Sequence, residues 1–182
     1  MSEPEIIVGL MIMDPAWRDI DIKTDFENFI ETMARSAFLS ADTEWLPKSD
    51  VIDISIVLTN DDNIQEINAE YRNKDKPTNV LSFPQLSPDE SDLTALEKLD
   101  FLPIGDVILA RETILREADE QNKSVDAHIA HMIVHGVLHL LGYDHIDDSD
   151  AERMESLEGL ILNGLGFDNP YDDQYNTRKA GC

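Results

Sequence analysis

The sequence predicts an α/β (α+β) fold, a single domain in which a small mixed β-sheet is packed with helices. Three observations lead there. Short apolar segments rich in β-branched residues come first in the chain, interleaved with amphipathic stretches. Helical periodicity then takes over the C-terminal half, so strands and helices must pack in layers. No internal repeat or long low-complexity linker divides the 182 residues, a length that suits one core. The domain is expected over residues 1–171, with 172–182 as a flexible tail.

The elements follow in order. Residues 5–12, EIIVGLMI, read as a first strand. Residues 24–38 place Phe26, Phe29, Ile30, Met33 and Ala37 on one helical face. Residues 51–59, VIDISIVLT, alternate apolar and polar side chains as a half-buried strand does. Asn60 then caps a helix carrying Ile64, Ile67, Asn68 and Tyr71 at helical spacing, which ends near Arg72. NVLSFP and residues 104–110 give two further strands, separated by a polar, acidic segment, 85–100, that reads as a mobile loop. Helices are expected at 111–121 and 124–141. The last helix opens on a capping box, Ser149 with Glu152, ahead of Met154, Leu157, Leu160 and Ile161, and Gly164 or Gly166 ends it.

Composition narrows the function classes. No apolar run approaches the roughly 20 residues that span a bilayer, so no membrane partner is expected. The apolar N-terminal stretch lacks a basic flank and a small-residue cleavage site, so it reads as a strand and not a signal peptide. The single cysteine, Cys182, allows neither a disulfide framework nor a cysteine metal cluster. A cytoplasmic location is the simplest inference. The net charge of −24 points away from nucleic acid unless positive charge is concentrated locally.

Four of the five histidines, His128, His131, His135 and His139, recur at intervals of three and four, one stripe on a 3.6-residue helix. A lone histidine on an apolar helix is usually a packed core group, and that reading suits His128. The stripe itself allows either His131 with His135 or His135 with His139 as a ligand pair. The third ligand decides: Gly142 lets the chain leave the helix and turn, so that His145 faces back. The metal set is therefore His135, His139 and His145, with His131 one turn behind as a supporting group. Three imidazoles without cysteine suit one Zn2+ per chain with a fourth position open, the arrangement of catalytic sites. They also suit nickel or copper.

The spacing HGVLHLLGYDH matches the long zinc-protease signature, yet Gly136 stands where a protease carries its glutamate base. Peptide hydrolysis needs that carboxylate to protonate the leaving amine. Phosphodiester cleavage depends more on charge stabilisation at the phosphoryl oxygens, so phosphate chemistry remains open. The cation for it is Arg72, whose guanidinium can fork onto two phosphate oxygens. With Lys74 and Lys76 it forms a basic island in a chain of only 14 basic residues, and these three are the phosphate-binding candidates. Arg72 and His135 are the catalytic candidates. Asp144 fixes the loop, orients a histidine or moves a proton, and Asp106 is a weaker candidate to orient a ligand.

YRNKDKPTNVLSFP, GDVILA and AHMIVHGVLHLLGYDH, in this order, resemble the three signature blocks of the bacterial YbeY-type endoribonucleases. The blocks span about residues 71–145, and the acidic helix after them also fits. The resemblance implies a single-domain α/β fold with zinc held by His135, His139 and His145 at the C-terminal end of a helix. It places the functional arginine of the family at Arg72. It further implies cleavage of single-stranded RNA, maturation of small-subunit ribosomal RNA at its 3′ end, and ribosome quality control. The partners would be ribosomal RNA, the small ribosomal subunit and its assembly proteins. A metalloprotease is the second reading, in which a glutamate at position 136 would be the missing piece. The third is a zinc-stabilised, non-catalytic assembly factor whose acidic surface binds a protein.

Overall fold

The computed structural model describes residues 4–88 and 99–172. Its strands are β1 (Glu5–Ile12), β2 (Ser49–Thr59), β3 (Val80–Pro84) and β4 (Leu99–Ala110). Its α-helices are α1 (Phe26–Ser40), α2 (Asp61–Arg72), α3 (Arg111–Glu120), α4 (Val125–Leu140) and α5 (Asp148–Gly164). The sheet runs β1-β2-β4-β3. β2 is parallel to both β1 and β4, whereas β3 is antiparallel to β4, so the sheet is mixed as expected.

Alternation in β2 sends Ile52, Ile54, Ile56 and Leu58 to one face, where all four are buried. Phe29, Ile30, Met33 and Ala37 of α1 and Ile129, Ile133 and Val137 of α4 join them in one core. Helix α2 covers the opposite face at the β3–β4 edge, where Ile64 packs with Leu81 and Ala110. A short 3₁₀ helix, Pro15–Asp19, buries Trp17 completely, and its indole N–H donates to the Thr59 carbonyl at 2.7 Å. Beside it, Arg111 at the start of α3 donates from Nε to Asp14 at 2.7 Å.

Two expectations are corrected. β4 begins at Leu99, not at residue 104, so Leu99 and Asp100 leave the acidic loop and join the sheet. Pro103 and the bulge opposite Asp53 and Ile54, where Ile104 is the extra residue, interrupt the alternation that would have revealed it. The rest of the expected loop falls partly on residues 89–98, and the tail on 173–182, outside the described residues. Helix α5 starts one residue before Ser149, and its cap is Asp147, whose carboxylate accepts from the Ser149 and Asp150 amides at 3.0 and 2.9 Å. An aspartate reaches those orphan amides as well as a serine does, and it leaves the Ser149–Glu152 box inside the first turn. The helix stops at Gly164, and the left-handed residue after it is Gly166, with φ +86°.

Candidate metal centre

Helix α4 is the central helix, buried along most of its circumference, and its last turns carry the histidines. Leu140 ends it, and the chain reverses through Gly142 at φ +85°. The Gly142 amide donates to the His139 carbonyl and the Tyr143 amide to the Leu138 carbonyl, both at 3.1 Å, the paired bonds of a left-handed helix stop. A side chain at 142 would also meet Pro88, because a Cβ there lies 2.4 Å from its Cγ. The Tyr143 hydroxyl accepts from the Asp42 amide at 3.0 Å, and the Arg153 guanidinium lies 5.0 Å above its ring. So pinned, the turn brings His145 back over the helix end. Its ring centroid lies 5.6 Å from that of His135 and 5.1 Å from that of His139. One ring nitrogen from each histidine falls within 4.8 Å of the others.

The partners of these rings decide where their protons sit. His139 Nδ1 is 2.8 Å from the Tyr143 carbonyl, which can only accept, so Nδ1 carries the hydrogen. His135 Nδ1 is 2.6 Å from Glu158 Oε1. Burial pushes the Glu158 carboxyl up, but the His131 and His135 hydrogen bonds outweigh it and hold the group at about 2. Glu158 is therefore an ionised acceptor, and His135 Nδ1 also donates. Both Nε2 atoms are left with bare lone pairs, and they face each other at 3.0 Å. Two lone pairs so placed repel unless a cation lies between them. A proton suits poorly, because burial and the neighbouring His135 and His145 push the His139 pKa down to about 4. A metal ion suits well: tetrahedral ligands at 2.0–2.1 Å stand about 3.3 Å apart, and an imidazole-only set fits zinc.

The histidines open onto a cleft of about 870 Å³ whose lining also includes Arg72, Asn79, Ser82 and Asp144. Arg72 reaches it as the last residue of α2. Asn73 follows in the left-handed region at φ 54°, and Asn68 ties down the next loop by donating to the Lys76 carbonyl at 2.8 Å and accepting from the Lys74 amide at 3.2 Å. Arg72 is thus brought together with the histidines. Lys74 and Lys76 are exposed on that loop and do not line the cleft.

The family model for endoribonuclease YbeY matches residues 16–166. The chain belongs to that family. Endoribonuclease YbeY of Sinorhizobium medicae is 44% identical over 151 residues, 82% of this chain and 86% of that one. The enzyme of the same name from Agrobacterium fabrum is 42% identical over 167 residues, 86% and 96% of the two chains. That from Rhizobium etli is 52% identical over 122 residues, 67% and 68%. Among solved structures, the solution structure of TM1509 from Thermotoga maritima shares the fold at TM-score 0.50 and 20% identity, covering 87% of this chain and 91% of that one.

In this YbeY member Gly136 has a structural reason. A Cβ there would lie 2.4 Å from Val107 Cγ1, and the Gly136 carbonyl accepts from Ser82 Oγ at 2.9 Å. The face of α4 on which a protease carries its glutamate is here pressed against β3 and β4, so a glutamate at 136 has no room. Asp106 does not stand behind a ligand. Val107 faces α4, so Asp106 points to the opposite face of the sheet, near Asp53, whose carboxyl is raised by burial and by that neighbouring charge. Asp144 fixes the loop by accepting from the His145 amide at 2.7 Å. His128 is a packed core group, 2% exposed, with Nε2 2.8 Å from Glu117. His131 lies behind His135, as the stripe suggests, with its ring centroid 6.1 Å away.

Two neighbours escaped the sequence reading, Glu158 and Tyr171. The signal for Glu158 was present, since a carboxylate at 158 interrupts the core-facing set Met154, Ile161 and Leu162. Tyr171 gave none, standing at the edge of an irregular segment.

Proposed function

We propose that this chain is a zinc-dependent endoribonuclease that hydrolyses phosphodiester bonds of single-stranded RNA. Its ribosomal role would be maturation of the 16S ribosomal RNA 3′ end and ribosome quality control, in the cytoplasm, together with the small ribosomal subunit and its assembly proteins. No helix among the described residues is long and apolar enough to cross a membrane, which agrees with that setting. The observation that carries the reading is the convergence of three imidazole nitrogens beside Arg72 in one cleft of a YbeY family member.

His135, His139 and His145 would hold the ion. Bound zinc supplies Lewis acidity and, with three protein ligands, leaves one position for solvent or substrate. Arg72 lies exposed at the cleft wall, where it grips the phosphate and offsets the charge that develops on its oxygens. Lys74 and Lys76 extend the positive edge along the RNA backbone, which makes association salt-dependent. The local island thus overcomes a net charge of −24. With Gly136 enclosed, position 136 cannot carry the protease glutamate, which counts against peptide hydrolysis.

The test is cleavage of a labelled single-stranded RNA carrying the precursor 16S 3′ end by wild type and His139→Ala, with the metal content of each determined. Cuts by the wild type that vanish in the variant together with the metal support the proposal. Cuts that persist without metal overturn the zinc dependence. Silence of a metal-loaded wild type on both free RNA and small subunits overturns the activity.

A further inference from the structure

Behind His135 lies a buried polar cluster made of Glu158, Tyr171 and His131. Glu158 arrives from α5 among Met154, Ile161 and Leu162 and is completely shielded from solvent. A carboxylate survives there only if both oxygens are hydrogen-bonded. Oε1 accepts from His135 Nδ1 at 2.6 Å, and Oε2 accepts from the Tyr171 hydroxyl. His131 Nε2 lies 3.1 Å from that hydroxyl and 3.5 Å from Oε2.

We propose that Glu158 and Tyr171 are positioning residues of the metal centre: Glu158 orients the His135 ring so that Nε2 faces the ion, and Tyr171 holds Glu158 in place. The inference rests on the metal site proposed above. A free imidazole exchanges its hydrogen between two nitrogens and turns about its last torsion. A fixed carboxylate on Nδ1 selects the tautomer with Nε2 bare and makes that nitrogen a stronger donor to a cation. The Tyr171 hydroxyl matters because Oε2 would otherwise keep only His131, 3.5 Å away, and the carboxylate would turn toward it and away from His135. His131, His135 and Glu158 also stand close enough to resemble a second metal-binding group. Their 2.6 Å contact is a hydrogen bond with its proton in place, and an ion there would have to break it.

The experiment compares metal-free wild type with Glu158→Gln, Tyr171→Phe and, as control, Glu117→Gln, which alters the other carboxylate–histidine pair, a half-buried one between Glu117 of α3 and His128 of α4. Zn2+ affinity is read by chelator competition, the ligand field by the absorption of Co2+, and folding by the Tm of the metal-free proteins. Glu158→Gln is expected to weaken binding roughly 10–100-fold, and Tyr171→Phe about tenfold. Both should shift the Co2+ bands, with Glu117→Gln unchanged. Tyr171→Phe loses a single hydroxyl, so it carries the test even if Glu158→Gln fails to fold. Wild-type affinity and spectrum in Tyr171→Phe, or an equal loss in Glu117→Gln, overturn the inference. If wild type meanwhile holds metal that His139→Ala loses, the three-histidine reading stands. A wild type that binds no metal overturns both.

Discussion

His135 and His139 confront each other through Nε2 atoms 3.0 Å apart, while each ring gives its other N–H to a different acceptor, Glu158 and the Tyr143 carbonyl. The helix end is therefore built with two lone pairs aimed at one point. His139→Ala removes one of them, and its metal content should fall to near zero. RNA cleavage should drop about 10³-fold or more, some 4 kcal/mol of transition-state stabilisation. A metal held by this arrangement would also stabilise the fold. Chelation should lower the wild-type Tm, by the equivalent of about 2.7 kcal/mol where free metal had stood at 100 times its Kd. The His139→Ala Tm should not respond to chelator, which thermal unfolding with and without it will check.

Arg72 is exposed and lines the cleft without supporting the core. Arg72→Ala should leave stability within about 0.5 kcal/mol of wild type and metal content unchanged. Cleavage should fall about 10²–10³-fold, the usual cost of losing one preorganised charge-stabilising group. Arg72→Lys should recover only part, since an ammonium cannot make the two parallel bonds. Kinetics and metal analysis on the same preparations check this. Equal losses of metal and activity in Arg72→Ala would show the arginine acting on the fold instead of the phosphate.

The histidine cluster was legible because a helix writes its geometry into spacing: four residues bring His135 and His139 to one side, and Gly142 announces the turn that returns His145. Arg72, which lines the same cleft, stood out in the sequence as part of a basic island in an acid-rich chain. What hid was whatever depends on the third dimension. Glu158 is 23 residues from His135 and Tyr171 is 40 from His131, and no local pattern links them. The start of β4 hid behind Pro103 and a bulge, which break the period that marks a strand. Gly136 looked like a lost catalytic base until the sheet stood against it, because packing partners on β3 and β4 carry no mark in the helix sequence.

Gly136 yields a prediction with its own control. Alanine is the better helix former by about 1 kcal/mol, so in isolation Gly136→Ala should stabilise. In this fold the new methyl lands 2.4 Å from Val107 Cγ1, a fully buried, β-branched side chain with little freedom to move. Overpacking costs about 1–3 kcal/mol, so the variant should be net destabilised. Val107→Ala removes the clash, and the double variant should be more stable than the sum of the two single effects by at least about 0.5 kcal/mol. Denaturant unfolding of the four proteins measures that coupling. Additive effects would mean that α4 shifts freely away from the sheet.

Asp14 predicts how stability responds to acid. The hydrogen bond from Arg111 is the chief reason that its carboxyl lies below the ordinary value, against the opposing pull of burial. A carboxyl with a lowered folded pKa favours the folded state once the unfolded chain ionises, near pH 3.9. That stability is complete above this pH and is lost as the pH falls through the lower folded value. Asp14→Asn keeps a side-chain oxygen for the Ala16 amide but discards the charge that faces Arg111. At pH 6 it should unfold several degrees below wild type. As the pH falls below the unfolded value and through the lower folded one, the two Tm values should converge, since wild type then loses the same interaction by protonation. Melting curves at intervals across that window decide it, and a gap that stays constant would assign the effect to shape instead of charge.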